Sequence, residues 1–456
     1  MSDTIVAVST APGRAALGII RLSGEGAIAA AEAAFRPDGG GKLTDRPPHR
    51  LVLGRAVDAE EQMLDQVLCV YARGPHSFTG EDTAEFQGHG SPAALRELLR
   101  ALVQAGARPA GPGEFSRRAF LNGRLDLTEA EAIMDIIDSE SPLQLRNAAL
   151  QLAGAVTRRT GEVYDLLLGL LAHFQAVVDY PEEGVEPLEA AEIAGKLEEA
   201  AGKLRRLSDS YARGALLKEG VRCAILGKPN AGKSSLLNAL LGWERAIVTE
   251  EAGTTRDTLE EKLTLGGLLL RLTDTAGLRE TDSAAEAEGV RRAMAAAGEA
   301  RLVLAVFDAS RPLEPEDEAV IAAAKAAPAA VALLNKCDLP RLADRARLEA
   351  AFGTVLDVSA RTGEGLEALE AAAAALLGAE DPLPVGEILV NERQYAAVLR
   401  AQEAVGRAAA ALREGFTPDA VLTDAEEALA ALGEVGGRSL REDLVEEVFS
   451  RFCVGK

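Results

Sequence analysis

The stretch Gly227-Lys228-Pro229-Asn230-Ala231-Gly232-Lys233-Ser234 constrains this chain more than any other. The apolar run Val221-Arg222-Cys223-Ala224-Ile225-Leu226 before it reads as a buried strand, and Ser235-Leu236-Leu237-Asn238 after it opens a helix. Strand, glycine loop and helix N-terminus together form the phosphate-binding pattern G-x-x-x-x-G-K-S. Gly227 and Gly232 let the backbone turn tightly and aim its N–H groups at an anion. In that arrangement Lys233 reaches the β- and γ-phosphates and the Ser234 hydroxyl holds Mg²⁺. An ordinary glycine turn before a helix is the bland alternative, and the full pattern makes it weak.

Three further stretches follow in the order a guanine-nucleotide switch requires. Asp274-Thr275-Ala276-Gly277 comes after the apolar run Leu268-Leu269-Leu270-Arg271-Leu272, which places a carboxylate near Mg²⁺ and a glycine N–H at the γ-phosphate. Asn335-Lys336-Cys337-Asp338 ends the strand-like run Ala330–Leu334, and Ser359-Ala360-Arg361 ends the run Thr354–Val358. In N-K-x-D the Asp accepts hydrogen bonds from guanine N1–H and the exocyclic amine. Adenine would leave that carboxylate unpaired, and polar readout of this kind discriminates by about 10⁴–10⁵. The four motifs at successive strand ends predict a GTP-binding domain.

At 456 residues the chain has room for about three domains. No window reaches the ~18 apolar residues of a membrane span; Leu166 to Val178 comes nearest, but it is short and contains His173. Met-Ser-Asp-Thr supplies no basic region for a secretory signal, so a cytoplasmic protein without stable membrane insertion is expected. Cys69, Cys223, Cys337 and Cys453 are far apart, and the four histidines form no ligand cluster, so reduced thiols and no zinc site are expected. With 49 Lys and Arg against 71 Asp and Glu, the net charge of −22 argues against non-specific nucleic-acid binding. Residues 1–126 are nearly neutral, so the negative excess lies beyond them.

Residues 1–122 mix short strands (Thr4–Val8, Leu17–Leu22, Leu51–Leu53, Val67–Tyr71) with a helix over Pro92–Gln104 whose Leu95, Leu98, Leu99 and Val103 share a face. Ser77–Asp82, Glu85–Gly90, Pro112–Ser116 and Asn122–Arg124 read as glycine-rich polar loops of the kind that line ligand sites, though turns are the commoner meaning. From Leu125 the texture becomes helical: Thr128-Glu129-Ala130-Glu131 reads as a capping box, and Ser141-Pro142 starts a helix towards Val178. Further helices are expected from about Leu188 to Arg213, over 391–414 and 418–432, and from Ser439, where Glu442 completes another capping box. This organisation predicts an α+β multidomain chain with a first domain over 1–122 and a helical domain made of 123–215 and 381–456. An α/β P-loop GTPase domain over 216–380 is inserted in the helical one.

The glycine loop, Gly253-Thr254-Thr255-Arg256-Asp257, Asp274–Glu280 and the final Phe452-Cys453-Val454-Gly455-Lys456 resemble the bacterial tRNA-modification GTPase family MnmE, also called TrmE. The resemblance runs end to end and implies a folate-binding-like N-terminal domain, a helical domain and an inserted Ras-like GTPase domain. It further implies GTP hydrolysis coupled to a flavin-dependent partner subunit, in a homodimer that assembles into a heterotetramer. Together they would place a carboxymethylaminomethyl or aminomethyl group on C5 of the wobble uridine of certain tRNAs. The one-carbon donor would be a 5-formyl- or methylene-tetrahydrofolate.

Residue by residue, the resemblance carries over a GTP site of Asn230 to Ser235, then Thr249, Glu250, Glu251, Ala252, Gly253, Thr254 and Thr255. It continues with Asp274 to Gly277, Asn335, Lys336, Asp338, Ser359, Ala360 and Arg361. Leu278 stands where Ras-like enzymes keep a water-orienting Gln, and it can neither donate nor accept. The resemblance gives that catalytic role to Glu286, alongside Lys233; Glu280, Asp282 and Glu288 are neighbouring competitors, and any one of them alone would read as a solvated helix start. K⁺ would lie where other GTPases use an arginine finger, held by Asn230 and by the stretch containing Thr249, Glu251 and Thr254, while Thr255 would join Ser234 on Mg²⁺. The folate site carries over as Arg21, Glu85, Arg124 and Lys456. Cys453 reads either as a small apolar residue at a helix end or as part of a tail lining that site. A ribosome-assembly switch GTPase shares the four nucleotide motifs and is the alternative, but such proteins usually append a basic RNA-binding domain. A nucleotide-gated scaffold with its chemistry in the partner is a third reading.

Overall fold

The computed structural model describes residues 3–179, 188–243, 261–272, 297–376, 385–416, 418–438, 445 and 448–455. The chain forms two compact units, one of residues 1–134, 152–193 and 403–456, the other of residues 135–151 and 194–402.

The first unit is built on seven strands: β1 (Ile5–Val8), β2 (Ala15–Ser23), β3 (Phe35–Pro37), β4 (Val52–Val57), β5 (Met63–Ala72), β6 (Thr83–Gly90) and β7 (Arg108–Pro109). They lie in the order β3-β4-β5-β6-β2-β1-β7, antiparallel except for the β1–β7 pair. Strand alternation sorts the residues of β2: Ile20 and Leu22 are buried with Val67, Cys69 and Phe86, under the helices Ala27–Ala33 and Pro92–Gln104. Arg21 falls between them on the opposite face, with Glu85 directly beside it in register. Two sequence expectations change here. Glu85–Gly90 is not a loop but most of β6, its glycines tolerated because neighbouring strands press closely on them. Val103 is exposed, and Leu102 replaces it on the buried stripe of its helix.

The helix Leu127–Ile137 is capped two residues earlier than the sequence suggests. Asp126 Oδ1 accepts from Glu129 N–H at 2.8 Å and Glu129 Oε2 accepts from Asp126 N–H at 2.9 Å. Thr128 is inside the helix, donating to Asp126 Oδ1 at 2.6 Å. The single helix expected from Pro142 is two, Pro142–Leu152 and Ala155–Asp179, because Gly154 takes φ 78°, in the left-handed region. Ala155–Asp179 packs against Pro418–Gly436, and Leu127 and Ala130 form a small core with Val445, Phe449 and Phe452. The capping box at Ser439 and Glu442 lies outside the described residues.

In the second unit β8 (Val221–Leu226), β9 (Glu261–Leu265), β10 (Leu268–Leu272), β11 (Leu302–Asp308), β12 (Ala329–Asn335) and β13 (Val355–Asp357) form a sheet ordered β13-β12-β11-β8-β10-β9. Only β9 is antiparallel. The sheet is apolar on both faces, with Leu304, Val306 and Ile225 turned to one layer and Ala305, Phe307 and Ala224 to the other. Chain order reverses at β8, so its C-terminal end is the crevice where such sheets bind ligands.

The helix Pro142–Leu152 turns a polar stripe inward within this unit. Gln144 Nε2 donates to the Leu217 carbonyl at 2.8 Å, Asn147 Oδ1 accepts from Gly386 N–H at 2.8 Å, and Gln151 Nε2 donates to the Ile388 carbonyl at 2.7 Å. These fasten the last turn of the helix Ala190–Glu219, which leads into β8, to the segment that follows the sheet. Ahead of them Glu140 pairs with Lys262 at 2.7 Å and lies 3.7 Å from Arg271, on β9 and β10.

Candidate functional site: a phosphate loop and a base pocket

The loop after β8 has the curvature its sequence demands. Gly227 (φ 155°), Asn230 (φ 63°) and Gly232 (φ 96°) have positive φ angles. A Cβ on Gly232 would fall 2.1 Å from Asn335 Nδ2, and one on Gly227 would fall 2.5 Å from the Val306 carbonyl. Glycine at 232 therefore keeps clear the space between the phosphate loop and the N-K-C-D loop. The helix Lys233–Trp243 begins at the loop, so its positive N-terminal end lies at the crevice. Lys233 Nζ donates to the carbonyls of Gly227 and Lys228, each at 2.9 Å, so its ammonium already lies over the loop.

The base pocket is a cavity of about 250 Å³ lined by Gly232, Ser235, Asn335, Lys336, Asp338, Leu339, Ser359, Ala360 and Arg361. Asn335 is buried and joins its walls: Nδ2 donates to the Ala231 carbonyl at 2.9 Å, and Oδ1 accepts from Ala360 N–H at 3.1 Å. Lys336 (φ 64°) reaches back to the Asn230 carbonyl at 2.9 Å and to Asp308 Oδ2 at 2.6 Å. Burial alone would raise the Asp308 pKa, but Lys336 and Ser310 outweigh it and hold the carboxyl below its usual range. Asp338 is held by two donors, Ser359 Oγ at 2.6 Å and Arg361 at 2.6 Å. The Ser359 bond, with the Arg361 charge behind it, keeps this carboxyl below its ordinary range and ionised at neutral pH. A fixed anionic acceptor in a walled pocket suits a base edge carrying two adjacent N–H donors, which is guanine's.

Asn230 to Ser235, Asn335, Lys336, Asp338, Ser359, Ala360 and Arg361 are thus brought to one crevice. Thr249 to Thr255, Asp274 to Gly277 and Glu286 lie outside the described residues. Sequence reasoning passed over Asp308, whose signal was a carboxylate closing an otherwise apolar strand, and Lys228, whose ammonium meets Glu314 and Glu316.

A second cluster sits on the open face of the first unit's sheet. Arg21 Nε donates to Glu85 Oε2 at 3.2 Å, and Gln87 Nε2 donates to Glu85 Oε1 at 3.1 Å. The Arg21 guanidinium lies 5.7 Å from the Phe78 ring centre and 6.0 Å from that of Phe115. Arg124 packs its stem on Gly80, in the same loop as Phe78. An ion network around the buried Arg118 supports this loop: Arg118 binds Glu81 at 3.0 Å, the exposed Asp3 at 2.7 Å and Glu114 at 3.0 Å, with signal only in the i,i+4 pair Glu114 and Arg118.

The C-terminal tail docks beside this cluster. Val454 bridges Pro112, Gly113 N–H donates to the Cys453 carbonyl at 3.3 Å, and Ser9 Oγ donates to the Gly455 carbonyl at 3.1 Å. Gly455 is buried at φ 96°, where a Cβ would stand 2.6 Å from the Val8 carbonyl. The Cys453 side chain is exposed, and Lys456 lies outside the described residues. Cys69 and Cys223 are buried, and burial pushes the Cys223 thiol up to about 12. Among the described residues no cluster of His, Cys, Asp or Glu could hold a metal, and no helix is long and apolar enough to cross a membrane.

Two family models match the chain: one described as the MnmE helical domain over residues 127–453, and one as the GTP-binding protein TrmE N-terminus over residues 4–124. A tRNA modification GTPase MnmE of Symbiobacterium thermophilum is 43% identical over 456 residues, 100% of this chain and 99% of that protein. The tRNA modification GTPase MnmE of Thermus thermophilus is 44% identical over 458 residues, covering 100% of both. Among solved structures, the G domain of the T. maritima FeoB iron transporter is 28% identical, covering 34% of this chain and 98% of that one with a TM-score of 0.25.

Proposed function

The chain belongs to the MnmE family and is a tRNA modification GTPase, and from that premise we propose that it hydrolyses GTP in a K⁺-dependent manner to drive modification of the wobble uridine. The observation that carries the guanine reading is Asp338, ionised and fixed between Ser359 and Arg361 at a cavity of about 250 Å³. Asn335 ties that pocket to the phosphate loop, so base and phosphates would bind to one rigid frame.

In this reading Lys233 leaves the carbonyls of Gly227 and Lys228 for the β- and γ-phosphates. Ser234, at the first turn of its helix, fits a Mg²⁺ ligand, with Thr255 as its partner. Asn230 is exposed at the loop rim, and its amide oxygen would meet K⁺ without burying another charge, the neighbouring oxygens coming from Thr249, Glu251 and Thr254. Bound there, K⁺ would supply positive charge beside the transferring phosphoryl group. Glu286 would orient the attacking water in place of the missing Gln. The domains would be those expected from sequence: 1–122, 123–215 with 381–456, and the inserted GTPase at 216–380.

The cluster of Arg21, Glu85 and Arg124 is the proposed folate site. Glu85 offers a carboxylate to the N–H groups of a pterin, the exposed Phe78 offers a ring face, and the arginines suit a glutamate tail. The docked tail supports a place for Lys456 at the same site, and the one-carbon unit would come from a 5-formyl- or methylene-tetrahydrofolate. A flavin-dependent partner subunit would supply the redox chemistry, with this chain as a homodimer within a cytoplasmic heterotetramer.

Two measurements test the proposal. GTP turnover in KCl should exceed that in NaCl at equal ionic strength, and Asn230→Ala should remove the difference; equal rates in wild type would exclude the K⁺ role. Nucleoside analysis of tRNA from a deletion strain should show the wobble uridine lacking its C5 substituent, and normal tRNA would refute the modification reading.

A further inference from the structure

We propose that Lys228 is a positioning residue that anchors the phosphate loop and so sets the affinity for the nucleotide's phosphates. The Lys228 side chain is only 12% exposed although it stands in a surface loop. Its ammonium bonds Glu314 and lies 3.1 Å from Glu316 Oε2 and 3.9 Å from Asp317 Oδ2. These carboxylates belong to the cap and first turn of the helix Pro315–Lys325, and Asp317 in turn accepts from Glu314 N–H at 2.8 Å. Asp317 is buried and fixes the cap, while Glu314 and Glu316 meet the ammonium from the exposed side.

Main-chain bonds complete the anchor. The Lys228 carbonyl accepts from Lys233 Nζ at 2.9 Å and from Ala231 N–H at 3.2 Å. One residue is thus held by its side chain to the helix cap while its carbonyl holds the turn at Ala231 and keeps Lys233 at the loop until the phosphates take it over. An isolated exposed ion pair is worth about 0–1 kcal/mol, but this ammonium is largely covered and faces three carboxylates. Removing its charge would both free the first half of the loop and take one cation from the carboxylates of Glu314, Glu316 and Asp317, raising the negative potential beside a binding site for a polyanion.

The phosphate loop cradles the nucleotide before and during hydrolysis alike. Loss of the anchor should therefore remove uniform binding, which raises KM and leaves kcat nearly alone. In the full chain, Lys228→Met should weaken GDP binding and raise KM for GTP by about 5–20-fold, with kcat within about two-fold of wild type. Lys228→Arg, whose guanidinium meets the same carboxylates, should recover most of the loss. Circular dichroism and thermal melting check that both variants fold. GDP affinity of Lys228→Met within about two-fold of wild type, or a fall in kcat at unchanged KM, would overturn the anchor. A wild-type chain that bound no GDP would instead overturn the assignment of the nucleotide site, so the two failures are distinguishable.

Discussion

Asp338 offers two acceptor oxygens and no donor, which is why a single substitution there should change the base that is read. Asn at 338 would keep one acceptor and turn an N–H group towards the guanine amine, leaving two donors facing each other. GTP affinity should fall by about 10²–10⁴ while xanthosine triphosphate, with a carbonyl in place of that amine, becomes a substrate; turnover assays with both nucleotides check this. Glu114 sits in an ion network of a different kind. Burial alone would raise its pKa, but Arg108, Gly111 N–H and Arg118 together hold it at about 2. A carboxyl depressed in the folded state contributes stability above its unfolded value, and that stability is lost as pH falls towards the folded value. Glu114→Gln should thus cost about 1–2 kcal/mol at neutral pH, with the gap to wild type closing between the ordinary glutamate value and about 2. Urea melts across that range would refute the network if the gap stayed constant.

Strands and nucleotide loops were legible in the sequence because each rests on a local rule: apolar runs for β8, β10 and β12, and glycine where φ must be positive. The contacts that bind elements together were not. Gln144, Asn147 and Gln151 look like the wet face of a helix, yet all three are buried against carbonyls and an N–H from residues 217–218 and 386–388. Periodicity reports only apolar stripes, so a polar one turned inward is invisible to it. The shift of a cap from Thr128 to Asp126 was equally hidden, since both residues can cap and three-dimensional context chose between them. Around the second site, the resemblance grouped Arg21 with Glu85, and strand register gives the physical reason that they meet. Asn147→Leu should leave the Gly386 N–H without its acceptor and cost about 1–3 kcal/mol. Hydrogen exchange at Gly386 and Ile388 should speed up in that variant while β1–β6 stay protected, and unchanged exchange would show the stripe to be idle.

At the scale of the molecule, the first unit joins the beginning of the chain to its end. Val454 and Gly455 lie on Pro112 and beside Val8, and Phe449 and Phe452 share a core with Leu127 and Ala130. Deleting residues 440–456 should remove two buried aromatic side chains and destabilise this unit by at least ~3 kcal/mol, read as faster proteolysis within residues 1–134 and sparing of the nucleotide-binding unit. Vectorial synthesis gives the same geometry a temporal meaning. The second unit has all its residues once Gln402 is made, whereas the first still lacks 403–456. At roughly 5–20 residues per second, the ribosome imposes a wait of several seconds. During it the earlier-made part of this unit is the unfinished part, with Phe120 and Leu127 uncovered until Phe449 and Phe452 are made. A stalled or prematurely terminated message would therefore yield a product able to hold nucleotide but exposing apolar surface near its own N-terminus, a form that quality-control proteases can recognise.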